Sequence, residues 1–329
     1  MEYETAGDPM SGLKWTRKTT AKISKELSFS GIDVGRTTVG KILKQLNFSL
    51  KTNAKKISSG GKPATAAERK KRDVQFNYIN EMVGKFKKEN CPIISCDMKK
   101  KELIGNFKND GTRLKRMTDL VNDHDFLIYA LGKAGPYGIY DLINNEAFVV
   151  VGQFLLDEKK QHILSGDTPE FDVESIENWY LNRGSKLYKE QNKILILVDA
   201  GGSNGYRCNM WKVKIQEILC DKYGLDVTVC HYPPGASKWN PVEHRLFSQI
   251  SNNWRGTPLI NYETVLKYIH TTKTTTGLKV DAVLVNKEYK KGIKATKKDI
   301  GNLNLKKHET NGSWNYTLSP KKELLKKAA

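Results

Sequence analysis

Five consecutive apolar residues, Ile194-Leu195-Ile196-Leu197-Val198, are closed by Asp199 and the small residues Ala200-Gly201-Gly202. This run constrains the chain more than any other. A strand that is apolar at every position is buried on both faces, which a sheet achieves only when helices cover both sides. Pro92-Ile93-Ile94-Ser95-Cys96 repeats the pattern and ends at Asp97. Residues 147–151 and 227–230 add two further strands, and helical spacing of apolar residues fills 172–188, 206–223 and 240–254. Strands alternating with helices in this way predict an α/β fold, a sheet flanked by helices.

In open α/β sheets, ligands gather beyond the carboxyl ends of the strands. Asp97 and Asp199 end two such strands, so the fold can bring them into one site although they lie far apart in sequence. An Asp closing a strand is also an ordinary first turn residue. The glycines after Asp199 allow positive φ and close backbone approach, yet the segment matches neither common nucleotide-binding glycine pattern. The third carboxylate is Glu243, in Ser237-Lys238-Trp239-Asn240-Pro241-Val242-Glu243-His244. Locally, Asn240 as N-cap, Pro241 at the first helical position and Glu243 two residues on suit a capped helix start. Taken together, the three carboxylates make an oxygen-rich set suited to Mg²⁺. Two such ions can assist phosphoryl transfer without a base of shifted pKa.

The ends of the chain are basic. The formal net charge is +19; residues 1–90 hold 19 Lys and Arg against 9 Asp and Glu, and residues 287–329 hold 12 against 4. The stretch between them is almost neutral. Basic ends suit a polyanion such as DNA, although charge alone also fits solubility or an anionic membrane surface. Near the front, Thr19-Thr20 opens a helix carrying Ile23 and Leu27, Ser30-Gly31 breaks it, and Thr37-Thr38 opens another. That second helix has Val39, Ile42, Leu43 and Leu46 on one face and Lys41, Lys44 and Gln45 on the other. Two short helices joined by a glycine turn predict either a helix-turn-helix, whose second helix enters the major groove, or a plain helical hairpin. The expected division is a helix-turn-helix unit over 1–57, a basic linker over 58–72, an α/β domain over 73–285 and a basic extension over 286–329.

Five cysteines without CxxC spacing argue against a disulfide framework or a zinc ribbon and fit a reducing cytosol. No apolar run is long enough to span a bilayer, so no membrane role is expected. Asp123-His124-Asp125 suits a transition metal, a hydrogen-bonded turn or a DNA contact. Lys99, Lys100 and Lys101, directly after Asp97, are read as phosphate contacts, against a solvated edge run as the plainer alternative; Lys238 is placed with them. Trp239 suits either base stacking or packing under Pro233-Pro234-Gly235. Asn204, Asn240, His231 and His244 are read as supporting residues around the carboxylates, with a purely structural role as the alternative for each histidine.

These stretches resemble a known family. Asp199 after an apolar strand, followed by Asn-Pro-x-Glu at 240–243, is similar to the DDE transposases of the mariner-like superfamily. More closely, the chain resembles the Rhodopirellula-type transposase DDE domain. The shared stretches are Gly7-Asp8-Pro9-Met10-Ser11, residues 99–107, residues 121–126, Tyr137-Gly138-Ile139-Tyr140-Asp141, residues 199–205 and residues 230–241. The resemblance implies an RNase H-like catalytic domain with Asp97, Asp199 and Glu243 as its triad and two Mg²⁺ or Mn²⁺ ions as cofactor. It implies a transposase that cuts DNA at element terminal repeats and transfers the strand to target DNA, as a possible homo-oligomer on paired ends. The expected setting is the bacterial cytoplasm, at the nucleoid. Relatives carry more sequence ahead of Gly7, and 153–164 reads as extra sequence. The rival expectations are a shortened, inactive DNA-binding remnant and another RNase H-like nuclease.

Overall fold

The computed structural model describes residues 5–7, 14–16, 18–50, 65–155 and 166–321. Most of the Gly7–Ser11 motif, most of the 153–164 segment, the first part of the 58–72 linker and the last eight residues lie outside them. The chain divides into two compact units, residues 1–63 and 64–329.

In the first unit, β1 (Thr5–Gly7) pairs antiparallel with β2 (Lys14–Thr16). Helices α1 (Thr20–Phe29) and α2 (Arg36–Gln45) follow. The Thr19 hydroxyl caps α1 by accepting from the Lys22 N–H at 3.2 Å. The turn between the helices passes through Gly31 at φ +80°. Helix α2 starts one residue before Thr37, and its apolar face is only partly covered. Val39 is buried, but Ile42 and Leu46 are 41% and 61% exposed.

The second unit opens with α3 (Ala66–Lys88), whose capping box joins Thr65 and Glu68. The helix therefore begins inside the segment read as linker: Glu68-Arg69-Lys70-Lys71-Arg72 form its first turns. A Thr-x-x-Glu start and the absence of glycine from the first turns after Thr65 outweigh the high charge. Next come β3 (Ile93–Met98), β4 (Glu102–Ile104), β5 (Gly132–Asp141), β6 (Glu146–Leu155), α4 (residues 169–187) and β7 (Lys193–Val198). They are followed by α5 (residues 209–223), β8 (Asp226–His231), α6 (residues 241–254), α7 (Tyr262–His270) and β9 (Lys279–Val285). Last are α8 (Lys297–Gly301), β10 (Leu305–Lys307) and β11 (Asn315–Leu318).

Nine strands form one mixed sheet in the order β10-β11-β8-β7-β3-β5-β6-β9, with β4 on the free part of β5. β3, β7 and β8 run parallel, while β5 is antiparallel to both β3 and β6. An antiparallel β6-β5-β3 meander joined to two parallel strands is the RNase H-like arrangement. Helices α4 and α5 cover one face through Phe171, Ile176, Trp179, Trp211 and Leu219. Helices α3, α6 and α7 cover the other. This double cover is why Ile194–Val198 is apolar throughout.

The stretch from 286 onward is not an appended tail. β11 adds to the edge of β8, and Tyr316 and Leu318 enter the main core. Its lysines hide this in the sequence, because the buried residues are few and belong to a four-residue strand. Among the described residues no helix is long and apolar enough to cross a membrane.

Candidate active site

The β3–β7 register pairs Ile93 with Leu195 and Ser95 with Leu197. The same offset carries Asp97 level with Asp199 at the carboxyl ends of two adjacent parallel strands. Side chains two apart on a strand share a face, so Asp97 points to the side on which Ser95 meets α6. Glu243 stands in the first turns of that helix.

Helix α6 is fixed to β3 by hydrogen bonds that the sequence does not announce. The Val242 N–H donates to Ser95 Oγ at 3.0 Å, and Ser95 Oγ donates to the Asn240 carboxamide oxygen. Asn240 Nδ2 donates to Asp199 Oδ1 at 3.1 Å. Asn240 is therefore not the local N-cap. Its side chain bridges β3 to Asp199, and the cap comes from Ser95 across the sheet. Glu243 does not fold back onto its own helix either; its carboxyl group engages Asp97. Residues Glu243–Phe247 form a π-helical segment. Such single-turn widenings recur at functional sites because they redirect side chains.

Gly138 makes this approach possible. It faces Asp97 across the β3–β5 ladder. A Cβ there would lie 2.5 Å from a Phe247 ring carbon and 2.8 Å from a Leu246 methyl carbon. Gly138→Ala is expected to push α6 off the sheet, costing roughly 1–3 kcal/mol in urea denaturation. Ser95→Ala removes a cap and a buried hydrogen bond. It is expected to cost about 1–2 kcal/mol by the same measurement.

The carboxylates are electrostatically crowded. Burial first, then the Asp199 charge and Glu243, push the Asp97 carboxyl up to about 8. Asp199 is raised to about 6, chiefly by burial and partly by Glu243, against the opposing hydrogen bond from Asn240. Among the described residues no three Asp, Glu, His or Cys side chains stand close enough together to hold a metal ion as they are placed. The three carboxylates face one another at hydrogen-bonding and Coulombic range without closing around one point.

The loop after Asp199 is held at several places. Gly202 sits at φ +83°, and a Cβ on Gly205 would meet the Ala200 carbonyl oxygen at 2.8 Å. Asn204 is buried and donates to the Tyr137 hydroxyl at 3.4 Å. Ser203 donates to Asp172 at 2.5 Å, and Asp172 is fully buried with its other carboxylate oxygen unpartnered. Burial drives the Asp172 carboxyl well above its usual range. Asp172 escapes a reading of the sequence because it sits within an ordinary amphipathic helix start. His231 is buried; its Nδ1 meets the Asp199 main-chain carbonyl at 2.9 Å, and its Nε2 meets the Tyr316 hydroxyl at 3.1 Å. Burial lowers its pKa to about 4, which keeps the ring neutral. It positions the backbone of Asp199, not a carboxylate.

The other sequence-assigned residues lie in varied surroundings. Lys99 is buried, ion-paired with Glu102 at 2.5 Å and seated over Trp254. Lys101 pairs with Asp167 at 2.6 Å and lies over the Phe154 ring. Both therefore have intramolecular partners in place of phosphate, and of the three only Lys100 is exposed. Lys238 is exposed over Trp239, which is itself 57% exposed and edge-on to Phe76. His244 is exposed, and its backbone carbonyl accepts from the Ser248 hydroxyl. Asp123, His124 and Asp125 are exposed on the long connection from β4 to β5, His124 being 3.8 Å from Asp123. On α2, Lys41, Lys44 and Gln45 are exposed.

Comparison with solved structures gives weak likenesses to Mos1 transposase. A paired-end complex with the left transposon end matches at 14% identity and TM-score 0.41, covering 76% of this chain and 65% of that one. A pre-cleavage Mos1 transpososome matches at 13% and 0.41, covering 80% and 72%. A mariner Mos1 paired-end complex with Mn matches at 11% and 0.42, covering 76% and 65%. The chain thus spans 65% of the first of these transposase chains. No curated protein matches. The family model described as "Rhodopirellula transposase DDE domain" matches residues 1–320. With nearly its whole length matched, the chain belongs to the Rhodopirellula transposase DDE domain family.

Proposed function

We propose that this protein is a transposase that cuts DNA at element ends and joins the freed 3′ end to target DNA. Asp97, Asp199 and Glu243 would hold two Mg²⁺ or Mn²⁺ ions. The observation that carries this reading is the meeting of three carboxylates at the carboxyl ends of β3 and β7 and the start of α6, with Asp97 raised to about 8. Such a set fits hard divalent cations: it supplies only oxygen donors, and its mutual repulsion is relieved by positive charge. Bound there, the ions neutralise the phosphodiester and lower the pKa of coordinated water.

The protein's own groups do the positioning. Asn240 orients Asp199 through one carboxylate oxygen. His231 holds the Asp199 main chain. Ser95 and Gly138 set the depth of α6, and so the reach of Glu243. On the first unit, the exposed Lys41, Lys44 and Gln45 on α2 support DNA contact by the 1–57 segment as a helix-turn-helix. Paired element ends would be bound by an oligomer of the chain, acting at the bacterial nucleoid.

The test is nicking of duplex DNA carrying the element's ends, in Mg²⁺ and again after chelation. Metal-dependent nicking at the ends supports the proposal. Salt-sensitive binding without nicking would instead make the chain an inactive DNA-binding remnant, and cleavage confined to RNA–DNA hybrids another RNase H-like nuclease. Asn240→Ala is expected to weaken metal binding about 10–100-fold, the usual effect of removing a partner of a metal ligand. Mg²⁺ titration of thermal stability measures it.

A further inference from the structure

The lysines beyond β9 occupy the catalytic rim of the sheet. The ladders fix this. Met98, next to Asp97, pairs with Tyr137 midway along β5. Gly135 on β5 pairs with Gly152 near the end of β6, and Gly152 pairs with Val285, the last residue of β9. β9 therefore leaves the sheet at the end that carries Asp97. Its last residue, Val285, lies three strands across, about 14 Å, and three residues, about 10 Å, beyond the row of Asp97, so about 17 Å away, or roughly five base steps of duplex DNA.

The chain after β9 is anchored at both ends. Tyr289 is buried, donates to Glu174 at 2.7 Å and packs edge-on against Phe171. Lys287 is paired with Glu174 and Glu170. Gly292 turns the chain at φ +76°, and Thr296 caps α8 through a capping box with Asp299. Between these anchors Lys290, Lys291 and Lys294 are exposed and have no ion-pair partner among the described residues. Contacts tie the segment to the catalytic loop. Lys291 and Lys101 both approach the Phe154 ring, Lys101 pairs with Asp167, and Asp167 lies 3.5 Å from Ser203.

We propose that Lys290, Lys291 and Lys294 form a phosphate-binding rail that holds the DNA backbone a few nucleotides from the scissile bond. This deepens the DNA-cleaving reading and rests on it for the identity of the partner. Lys287 and Tyr289 fix the rail to α4, so the unpaired ammonium groups are presented on a rigid support. Location distinguishes these lysines from others on the surface. Lys85, Lys87 and Lys88 at the end of α3 are also exposed, but they precede the start of β3, at the opposite end of the sheet.

That contrast supplies the test. Affinity for a generic linear DNA duplex is measured between about 50 and 200 mM salt for the parent and two triple variants. Lys290→Ala/Lys291→Ala/Lys294→Ala is expected to make the slope of log K against log salt shallower by about 2–3, close to one phosphate per lysine. Lys85→Ala/Lys87→Ala/Lys88→Ala removes the same charge and is expected to leave the slope unchanged. Equal losses in both variants, or no loss in the first, overturn the proposal. Nicking by Asp199→Asn on duplex carrying the element's ends, measured alongside, separates the two readings. A rail that binds while Asp199→Asn still nicks like the parent would sink the catalytic assignment and leave the surface standing.

Discussion

Asp199→Asn is expected to abolish Mg²⁺-dependent nicking while leaving DNA binding and folding intact. The substitution is nearly isosteric, and the Asn240 carboxamide can still donate to the new side-chain oxygen. What disappears is one negative charge at the point where β7 ends. Removing a residue that merely supports a metal ligand costs about 10–100-fold; removing a ligand should exceed this, by roughly 10³-fold or more. The measurement is initial nicking rate at saturating Mg²⁺, with thermal melting and duplex affinity run alongside. Nicking within a few-fold of the parent would exclude Asp199 from the triad.

The second large effect is on stability, and its sign is opposite. Asp97→Asn is expected to stabilise the metal-free protein at pH 8, by about 3 kcal/mol or on the order of 5–10 °C in Tm. The Asp97 carboxyl titrates near 8 in the fold and near 3.9 when unfolded. Between those values the folded state binds more protons, so the stability of the parent falls as pH rises from about 4 to about 8. Asp199, raised to about 6, adds to the fall over the lower part of that window. Asp97→Asn should flatten the slope above pH 6. Mg²⁺ at a hundredfold excess over its Kd should restore about 2.7 kcal/mol to the parent and little to the variant. A parent whose metal-free stability is level from pH 5 to 8 would show that these carboxyl groups are not crowded.

The strands were legible because their physics is local. Ile194–Val198 and Ile93–Cys96 needed burial on both faces, and the sheet supplies it. The meeting of Asp97, Asp199 and Glu243 was legible only as a combination, since each alone reads as a turn or capping residue. The misreadings share one cause: partners distant in sequence. Asn240 looks like a helix cap until Ser95, well over a hundred residues away in the chain, takes that role. Lys99 looks like a free cation until the ring of the distant Trp254 comes beneath it. Gly138 carries no signal, because its value lies in the Phe247 ring that it admits. The strand at 315–318 is hidden because four residues are too few to show a period, and its pairing with β8 lies outside any local window.

That last strand bears on how the protein is made. Tyr316 reaches the His231 ring, and His231 holds the main chain of Asp199. At translation rates of about 5–20 residues per second, the ribosome reaches codon 316 on the order of ten seconds after Asp199 has been joined. Until then β8 has a bare edge and the loop at Asp199 lacks its brace. The main chain at Asp199 is therefore braced through His231 and Tyr316 only when synthesis is nearly finished.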